Sequence, residues 1–405
     1  MYPKQTTVAM ILAGGQGSRL GLLTKQMAKP AVPFGGKYRI IDFALSNMSN
    51  SHIQKVAVFT QYNARSLNEH LSSAKWWDFG RKQGGLYVFA PTITVENNSW
   101  YRGTADAIYQ NLTFLKNSHE PYVVIASGDC VYKLDYNKVL EAHMESKADI
   151  TVVTTTLDPE DDASRFGLMV TDENDKITEF QEKPKEPKSN LASMGIYIFN
   201  WEILKRYLIE DENDPESEND FGNNIIPALL RDGREMYAYH FDGYWKDVGT
   251  IPSLWEANME ILDPENSGIN LFDNDWRIYS RNSGMTGHRI GEKAVLENSM
   301  ITDGCRIDGS VKHSVLFAGV KVEAGAEIED AVIMGGSTIK ACAKVKHCIV
   351  AENVVVEKDA VVGAAPKGEE AGVAIVASGV NIGEGAVVGP KAMVSENVKG
   401  GDKVW

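Results

Sequence analysis

The sequence predicts an α/β domain with a mostly parallel sheet, followed by a parallel β-helix. Over about the first 250 of the 405 residues, short apolar runs typical of buried strands alternate with segments of helical periodicity, which is the pattern of an α/β domain. After about residue 285 the helical periodicity ends, and valine, isoleucine and leucine recur every six residues. We therefore expect an α/β domain over residues 1–250, a linker over 251–285 and the β-helix over 286–405.

The composition is that of a globular protein and argues against several functions. Hydrophobic residues make up 43% of the chain and charged residues 24%, as in ordinary globular domains. The net charge of −14 argues against a nucleic-acid surface, because such a surface has to be basic. The four cysteines form no CxxC pair, so neither a zinc site nor a disulfide framework is indicated. No basic segment followed by a long apolar run opens the chain, which predicts a cytoplasmic protein without a membrane partner.

The first predicted strand and the loop after it are the most informative stretch of the chain. Val8–Ala13 is an apolar run, three of the next four residues are glycine, and Arg19 follows shortly. Glycines let the backbone turn tightly and approach a phosphate or a base, and a planar guanidinium suits phosphate oxygens. The loop is neither a Walker loop nor a dinucleotide fingerprint, because Leu20 occupies the position of the third glycine. An ordinary strand-to-helix turn is the alternative that Gly-Gly alone would favour.

The other elements of the α/β domain follow from short apolar runs and helical periodicity. Strands are predicted at Val56–Thr60, Tyr122–Ser127, Ile150–Thr155 and Ile196–Phe199, and helices at Ala105–Lys116 and Asn137–Lys147. The acidic run Glu210–Asp220 is expected to be a solvated surface loop. Ligands of open α/β sheets bind at the carboxyl ends of the strands, so side chains at those ends are candidates for chemistry.

Four charged residues are the candidates for phosphate and metal chemistry. Lys29 lies on a segment stiffened by two prolines, and together with Arg19 it places two cations beside one glycine loop, which suits a polyphosphate. Taken alone, Lys29 would be read as a solvated surface lysine. Asp129 ends a predicted strand, and Asp247 lies where the α/β pattern closes. Two carboxylates fit a magnesium site that leaves room for substrate phosphates, whereas a capping aspartate in a turn is the alternative for Asp129.

Two further motifs offer polar groups for a ligand. Glu182-Lys183-Pro184 supplies a carboxylate for sugar hydroxyls and an ammonium for a sugar phosphate, or else forms a simple strand-end turn. In Trp100-Tyr-Arg-Gly-Thr-Ala105, Gly103 would allow close approach to a ligand. The eight histidines are scattered, and no serine has the setting of a nucleophile, so covalent catalysis has no support.

The repeat region predicts a parallel β-helix. A single strand repeats every two residues and a helix every three to four, whereas a six-residue period with three repeats per coil is typical of this fold. The repeating aliphatic residues are Val295, Ile301 and Ile307; Leu316, Val322 and Ile328; Ile333, Ile339 and Val345; Val350, Val356 and Val362; and Val376, Ile382, Val388 and Val394.

Taken together, these motifs resemble those of the sugar-1-phosphate nucleotidyltransferases, in particular the branch that adenylylates glucose 1-phosphate. The resemblance covers nearly the whole chain. It rests on the motifs at 12–20, 28–43, 100–107, 182–184, 193–197 and 244–250. It implies a Rossmann-like nucleotidyltransferase domain followed by a left-handed β-helix, and a reaction in which ATP and glucose 1-phosphate give ADP-glucose and pyrophosphate. It also implies a homotetramer, or a hetero-oligomer with a non-catalytic sister subunit.

The resemblance implies roles for individual residues. Arg19 and Lys29 would hold the ATP phosphates, and Asp129 and Asp247 would carry Mg²⁺. The further ATP-binding residues implied are Gly14, Gly15, Gly17 and Gln61, and those implied for glucose 1-phosphate are Tyr101, Gly167, Glu182, Lys183 and Ser193. The attacking phosphate is largely dianionic at pH 7, since its second pKa is about 6. No general base is needed, so catalysis reduces to aligning two anions and neutralising the charge on pyrophosphate.

The sequence departs from the family pattern at two places and leaves three other functions open. Cys130 follows Asp129 where the family commonly has histidine, and Gln26 and Met27 stand where enterobacterial relatives carry cationic activator contacts. The alternatives are a nucleotidyltransferase that uses UTP or dTTP, a bifunctional enzyme with an acetyltransferase β-helix, and a non-catalytic regulatory subunit. The histidines that could serve acetyl transfer as bases are His288, His313 and His347.

Overall fold

The computed structural model describes residues 6–80, 84–92, 100–159, 162–365 and 372–405. The chain divides into two compact units, Met1–Gly15 with Phe43–Trp245, and Gln16–Asp42 with Lys246–Trp405. The segment that follows the first two glycines of the loop therefore belongs to the unit that contains the C-terminal repeats.

The first unit is built on one mixed sheet, whose parallel part was predicted. Its main path runs in the order Ile177–Glu182, Gly167–Thr171, Leu191–Asn200, Tyr122–Ser127, Thr7–Leu12, Lys55–Phe59 and Gly85–Phe89, and Ile150–Thr156 joins Leu191–Asn200 to Met236–His240. The last four strands of the path are parallel. Leu191–Asn200 runs antiparallel to its neighbours, with Ile196 opposite Ala126. Four consecutive buried residues from Val123 to Ala126 show that both faces of the sheet are covered.

The helices of this unit are Ala64–Leu71, Thr104–Tyr109, Leu112–Lys116, Tyr136–Glu145, Trp201–Glu212 and Ile226–Arg231, and Ile41–Asn50 begins at its boundary. The helix predicted over 105–116 is divided in two. The amide of Asn111 donates to the Ala107 carbonyl at 2.9 Å, and the Asn111 N–H donates to Ile108 instead. Side-chain competition for a backbone carbonyl thus ends the first helix.

The second predicted helix and the predicted acidic loop are both present, but with shifted boundaries. The helix expected at 137–147 spans Tyr136–Glu145, because Asp135 caps it by accepting the Asn137 N–H. The acidic run expected as a loop begins inside Trp201–Glu212, and only the residues after this helix form a loop.

The C-terminal part of the second unit is the parallel β-helix that the six-residue period predicts. Its strands are Arg289–Ile290, Val295–Glu297, Met300–Ile301, Arg306–Ile307, Ser310–Lys312, Val315–Leu316, Lys321–Val322, Glu327–Ile333, Thr338–Ile339, Lys344–Val350, Val355–Val356, Val361–Val362, Ala374–Val376, Asn381–Ile382, Val387–Val388, Met393–Val394 and Lys403–Val404. Successive coils pair in parallel, as Ile307 with Val322 does. The predicted aliphatic residues from Ile307 onward are buried.

Two predicted core residues depart from this burial: Ile301 is only partly buried, and Val295 is 51% exposed. It lies on the first coil, where Val295–Glu297 pairs with Ser310–Lys312. Within the described residues this coil has a neighbouring coil on one side only. A side chain at the open end of a coil stack lacks the layer that would cover it.

The segment predicted as a linker contains the helix Ile251–Glu260 and the short helix Pro264–Ser267. Thr250 and Ser253 form a capping box at the start of the longer helix. Pro252 lies in the first turn of this helix, where proline is tolerated. Leu254, Ala257 and Asn258 are buried, so this helix is a packed element of the second unit. None of the helices in the described ranges is long and apolar enough to cross a membrane.

Candidate active site

Three of the predicted charged residues meet in the second unit. The Lys29 Nζ lies 2.6 Å from Asp247 Oδ1, and the Arg19 Nη2 lies 3.5 Å from Asp247 Oδ2. The side chains of Lys29 and Asp247 are only 7% and 12% exposed, whereas Arg19 is 54% exposed. Two cations therefore flank one carboxylate, and Arg19 is the member that is open to solvent.

The glycine loop holds Lys29 in this position. Gly17 has a φ of 63°, a conformation that favours glycine. A Cβ on Gly17 would lie 2.8 Å from the Lys29 Cβ, so a larger residue would push the lysine away. The Thr24 hydroxyl donates to the Gly17 carbonyl at 2.9 Å and fixes the turn. Gly17 was predicted to bind ATP, and the structure gives it at least a packing role against Lys29.

Gly249 borders the same three charges. A Cβ at this position would lie 2.8 Å from Asp247 Oδ1, 3.1 Å from the Arg19 Nη2 and 3.1 Å from the Lys29 Nζ. The missing side chain lets these three charged ends pack against the backbone, with the Asp247 carboxylate between the two cations. Carboxylate oxygens are the ligands that Mg²⁺ prefers, so this carboxylate fits a magnesium ion that substrate phosphates also hold. The described ranges contain no group of three or more histidine, cysteine or acidic residues that could hold a metal.

Asp129 lies in the first unit, at the carboxyl end of a parallel strand. It follows Tyr122–Ser127, and the Gly128 N–H donates to the Leu12 carbonyl at 2.9 Å. This bond places the turn beside the end of the first strand, where the glycine loop begins. The Ser127 hydroxyl and the Cys130 thiol both donate to Asp129 Oδ1. Asp129 thus belongs to the first unit and Asp247 to the second.

Gly14, Gln61 and Tyr101 are brought together in the first unit. A Cβ on Gly14 would lie 3.2 Å from the Gln61 Cβ, so the glycine lets the loop pass close to this residue. The Gln61 amide donates to the Tyr101 carbonyl at 3.1 Å. The Tyr101 hydroxyl accepts from Asn111 at 3.2 Å, and burial raises the pKa of Tyr101. Gly15, by contrast, has open space where its Cβ would lie.

Gly167, Glu182 and Lys183 form a second group in the first unit. The Lys183 Nζ lies 2.6 Å from Glu182 Oε1, and the Lys183 N–H donates to the Phe166 carbonyl at 3.1 Å. Glu182 Oε2 faces two glycines, because a Cβ would lie 2.9 Å away on Gly167 and 2.5 Å away on Gly222. The carboxylate therefore occupies a slot that side chains at either position would close.

Ser193 lies at an irregularity in the long antiparallel strand. The register shifts between Ser193 and Ile196, Gly195 has a φ of 68°, and the Gly195 N–H donates to the Ser193 hydroxyl at 3.2 Å. Burial raises the pKa of Tyr197, and its hydrogen bond with Ser193 lowers that pKa in part. The bulge thus turns Ser193 toward a buried tyrosine, which the sequence pattern does not indicate.

Gly103 packs closely against the backbone of a remote segment, and its predicted contact with a ligand stays a prediction. A Cβ on Gly103 would collide with the backbone oxygen of Asn219, and the Ala105 N–H donates to that oxygen at 2.8 Å. Gly103 therefore permits close approach of another chain segment, and the ligand contact expected of it is not needed to explain the glycine. Neighbouring Arg102 pairs with Asp106 and Glu212, and its hydrogen bond with Asp106 raises the pKa of Arg102.

Two glycines that lie against predicted site residues were not identified as site residues from the sequence. Gly222 faces Glu182, and Gly249 faces the Lys29–Asp247 pair. The only signal for Gly249 was its place in the motif at 244–250, two residues after a candidate carboxylate. A glycine at a strand or helix end has many local explanations, so this signal points to no particular contact.

Comparison with known proteins agrees with this arrangement. A family model described as nucleotidyl transferase matches residues 8–264, and one described as GlmU-like C-terminal hexapeptide matches residues 285–383. Curated proteins named glucose-1-phosphate adenylyltransferase from Bacillus thuringiensis (strain Al Hakam) and Bacillus anthracis are each 51% identical to this chain over 398 residues, which is 98% of either sequence. The protein of that name from Bacillus mycoides (strain KBAB4) is 50% identical over the same share. The chain therefore belongs to the nucleotidyl transferases, and within them to the glucose-1-phosphate adenylyltransferase family.

Proposed function

We propose that this protein transfers the adenylyl group of ATP to glucose 1-phosphate, releasing pyrophosphate and forming ADP-glucose for glycogen synthesis. The structural observation that carries the proposal is the buried Lys29, held against Asp247 and accompanied by Arg19. Burying a charged lysine is costly unless it is paired. A protein that keeps such a group next to the solvent-exposed Arg19 has cations ready for a polyanion such as a triphosphate.

The reaction needs charge neutralisation more than proton transfer. A phosphate oxygen of glucose 1-phosphate attacks the α-phosphorus of ATP and forms a new P–O bond. The bond from that phosphorus to the bridging oxygen breaks, and pyrophosphate leaves with the electron pair. Because the attacking group is already ionised at pH 7, no side chain has to remove a proton. Lys29 and Arg19 are assigned to the charge that develops on the leaving pyrophosphate.

Asp129 and Asp247 are assigned to magnesium. A bound Mg²⁺ supplies additional positive charge to the phosphates of the nucleotide. The support for Asp247 is its carboxylate beside the two cations assigned to the nucleotide phosphates, and the support for Asp129 is its position at the end of a parallel strand. The Ser127 hydroxyl orients the Asp129 carboxylate.

The residues of the first unit are assigned to the two substrates. Gly14, Gly15 and Gln61 are proposed to lie near the adenine of ATP, with Gly17 in the adjoining loop. Glucose 1-phosphate is assigned to Lys183 for its phosphate and to Glu182 for its hydroxyls, because a carboxylate accepts hydrogen bonds from hydroxyl groups. The further sugar-phosphate residues proposed are Tyr101, Gly167 and Ser193.

A homotetramer, or an assembly with a non-catalytic sister subunit, and a cytoplasmic location are further proposals that rest on the family resemblance. The proposed substrates are soluble metabolites, and the acidic chain (net charge −14) is not suited to nucleic acid.

The β-helix offers little support for acetyl transfer as an additional activity. His313 is bonded to Asp330, with Nδ1 2.7 Å from Oδ1. The His347 ring packs on Trp255 at 4.2 Å between centroids, and burial lowers the pKa of His347. His288 is exposed on the segment before the first coil. Two of the three candidate bases are thus engaged in packing within the second unit.

The decisive experiment measures pyrophosphate release from glucose 1-phosphate with ATP, UTP, dTTP and GTP in parallel reactions containing magnesium. We expect turnover with ATP to exceed turnover with the other nucleotides. Preference for UTP or dTTP would replace the proposal with another nucleotidyl transfer, and no turnover with any nucleotide would favour the regulatory subunit. An acetyl-coenzyme A assay on the same preparation tests the bifunctional alternative.

A further inference from the structure

We propose that Gly249 is a positioning residue of the phosphate site, where its missing side chain lets the charged ends of Arg19, Lys29 and Asp247 converge in the arrangement that binds the pyrophosphate part of the nucleotide. This inference deepens the proposed function and rests on it for the identity of the ligand. It concerns a position to which no motif assigns a role.

The backbone does not require glycine at this position. Gly249 is absent from the glycines with positive φ, which include Gly17 and Gly35. An alanine could therefore adopt its φ without the strain that left-handed conformations impose on L-residues. The reason for glycine must lie in the space around it.

That space is bounded by functional side chains. The three heavy atoms nearest to a Cβ on Gly249 belong to Asp247, Arg19 and Lys29, at 2.8, 3.1 and 3.1 Å. All three are the charged ends of side chains, and none is a backbone atom. A glycine kept for chain packing, such as Gly103, instead meets backbone atoms of a remote segment. The contrast indicates that Gly249 serves the charged groups.

The site is also held firmly enough for one methyl group to matter. Gly249 is buried and follows the buried Val248, and Thr250 caps the next helix by accepting the Ser253 N–H. The Cβ of an alanine could not swing away, so the side chains would have to move. Lys29 and Asp247 are mostly enclosed, which leaves Arg19 as the group that is displaced most easily. An alanine would thus move a cation assigned to the leaving group.

The test is direct binding of pyrophosphate with Mg²⁺, measured by titration calorimetry on the full chain and on Gly249→Ala. We expect affinity to fall by about 10- to 150-fold, the range for the loss of one charge-assisted hydrogen bond. Gly249→Ser should weaken binding further, because its larger side chain displaces the same charged groups by more. Affinity for glucose 1-phosphate should be unchanged. The matched control is Gly287→Ala, in the same unit, where a Cβ meets nothing within 4 Å and binding should equal that of the parent.

Three outcomes would overturn the inference. Unchanged pyrophosphate affinity in Gly249→Ala would show that binding of this ligand does not depend on how Gly249 positions the three charged groups. Equal weakening of pyrophosphate and glucose 1-phosphate would indicate a general distortion. Loss of cooperative unfolding would assign the glycine to packing. If instead the parent binds pyrophosphate but forms no ADP-glucose, the proposed function fails while the role of Gly249 stands, so the two failures are distinguishable.

Discussion

Replacing Lys183 with alanine separates the two substrates of the proposed reaction. Lys183 is 62% exposed, and its Nζ lies 2.6 Å from Glu182 Oε1. Lys183 is assigned to the phosphate of glucose 1-phosphate and has no assigned contact with ATP. The substitution should therefore weaken one substrate and leave the other unchanged.

The structure sets the two expected magnitudes. An ion pair this exposed contributes only about 0–1 kcal/mol to the free energy of unfolding, so Lys183→Ala should remain close to the parent in stability. A hydrogen bond to a charged phosphate contributes about 1.5–3 kcal/mol, which corresponds to a loss of roughly 10- to 150-fold in affinity for glucose 1-phosphate. Stability and substrate binding should thus respond very differently to the same change.

The chain supplies a matched control in Lys188. This lysine is 61% exposed and pairs with Glu179 at 2.5 Å, so Lys188→Ala removes an equivalent surface ion pair. The assay is initial-rate kinetics of pyrophosphate release, with each substrate varied at a saturating level of the other, together with denaturant unfolding. Lys188→Ala should match the parent in all of these measurements.

The reasoning would be refuted if Lys183→Ala raised the apparent constant for ATP and left that for glucose 1-phosphate unchanged. It would also be refuted if the control showed the same loss, because the effect would then belong to surface charge in general. An unchanged constant for glucose 1-phosphate would show that Lys183 does not bind its phosphate.

Three further predictions concern the other charged and titratable groups. Asp129→Asn should remove most turnover and leave the unfolding transition unchanged, because it removes charge with little change in shape; near-normal activity at saturating magnesium would exclude the assigned role. Lys29→Met should lower the free energy of unfolding by less than the about 3–5 kcal/mol typical of breaking a buried pair, because Arg19 remains 3.5 Å from Asp247; the double variant with Asp247→Asn should lose less than the sum of the two single variants. His143 is buried, and desolvation lowers its pKa below 6.5. As the pH falls below 6.5, His143 therefore becomes protonated in the unfolded chain while it stays neutral in the folded chain. Stability should therefore fall between about pH 7 and 5, and His143→Gln should flatten this part of the denaturation profile; an unchanged slope would contradict the assignment.

Local pattern was sufficient for much of the fold. The six-residue period predicted the β-helix, because each inward aliphatic residue of a coil must stack on the coil below. The pattern wrongly predicted that Val295 is buried, because the terminal coil of a β-helix has the same six-residue repeat as a coil with neighbours on both sides. It also missed the break at Asn111 and the helix Ile251–Glu260, which a side-chain hydrogen bond and a capping box favour.

The glycines show why the candidate site was harder to predict. A glycine in a sequence can indicate that a side chain would not fit at that position, but the sequence does not show which neighbouring atoms would clash with the side chain. Gly103 excludes one because Asn219 passes close by, and Gly249 because three charged groups do. Only the packed structure separates these two reasons.

The sequence by itself determined the fold class, the family and the residue types of the candidate site, because periodicity and short motifs are local properties of the chain. Tertiary structure alone decided which of those residues meet. Lys29 and Asp247 are 218 positions apart yet hydrogen-bonded, and Gly14 lies against Gln61, which is bonded to Tyr101. Such contacts depend on how remote segments pack, and that packing is set by the burial of the whole unit rather than by any residue's neighbours in sequence.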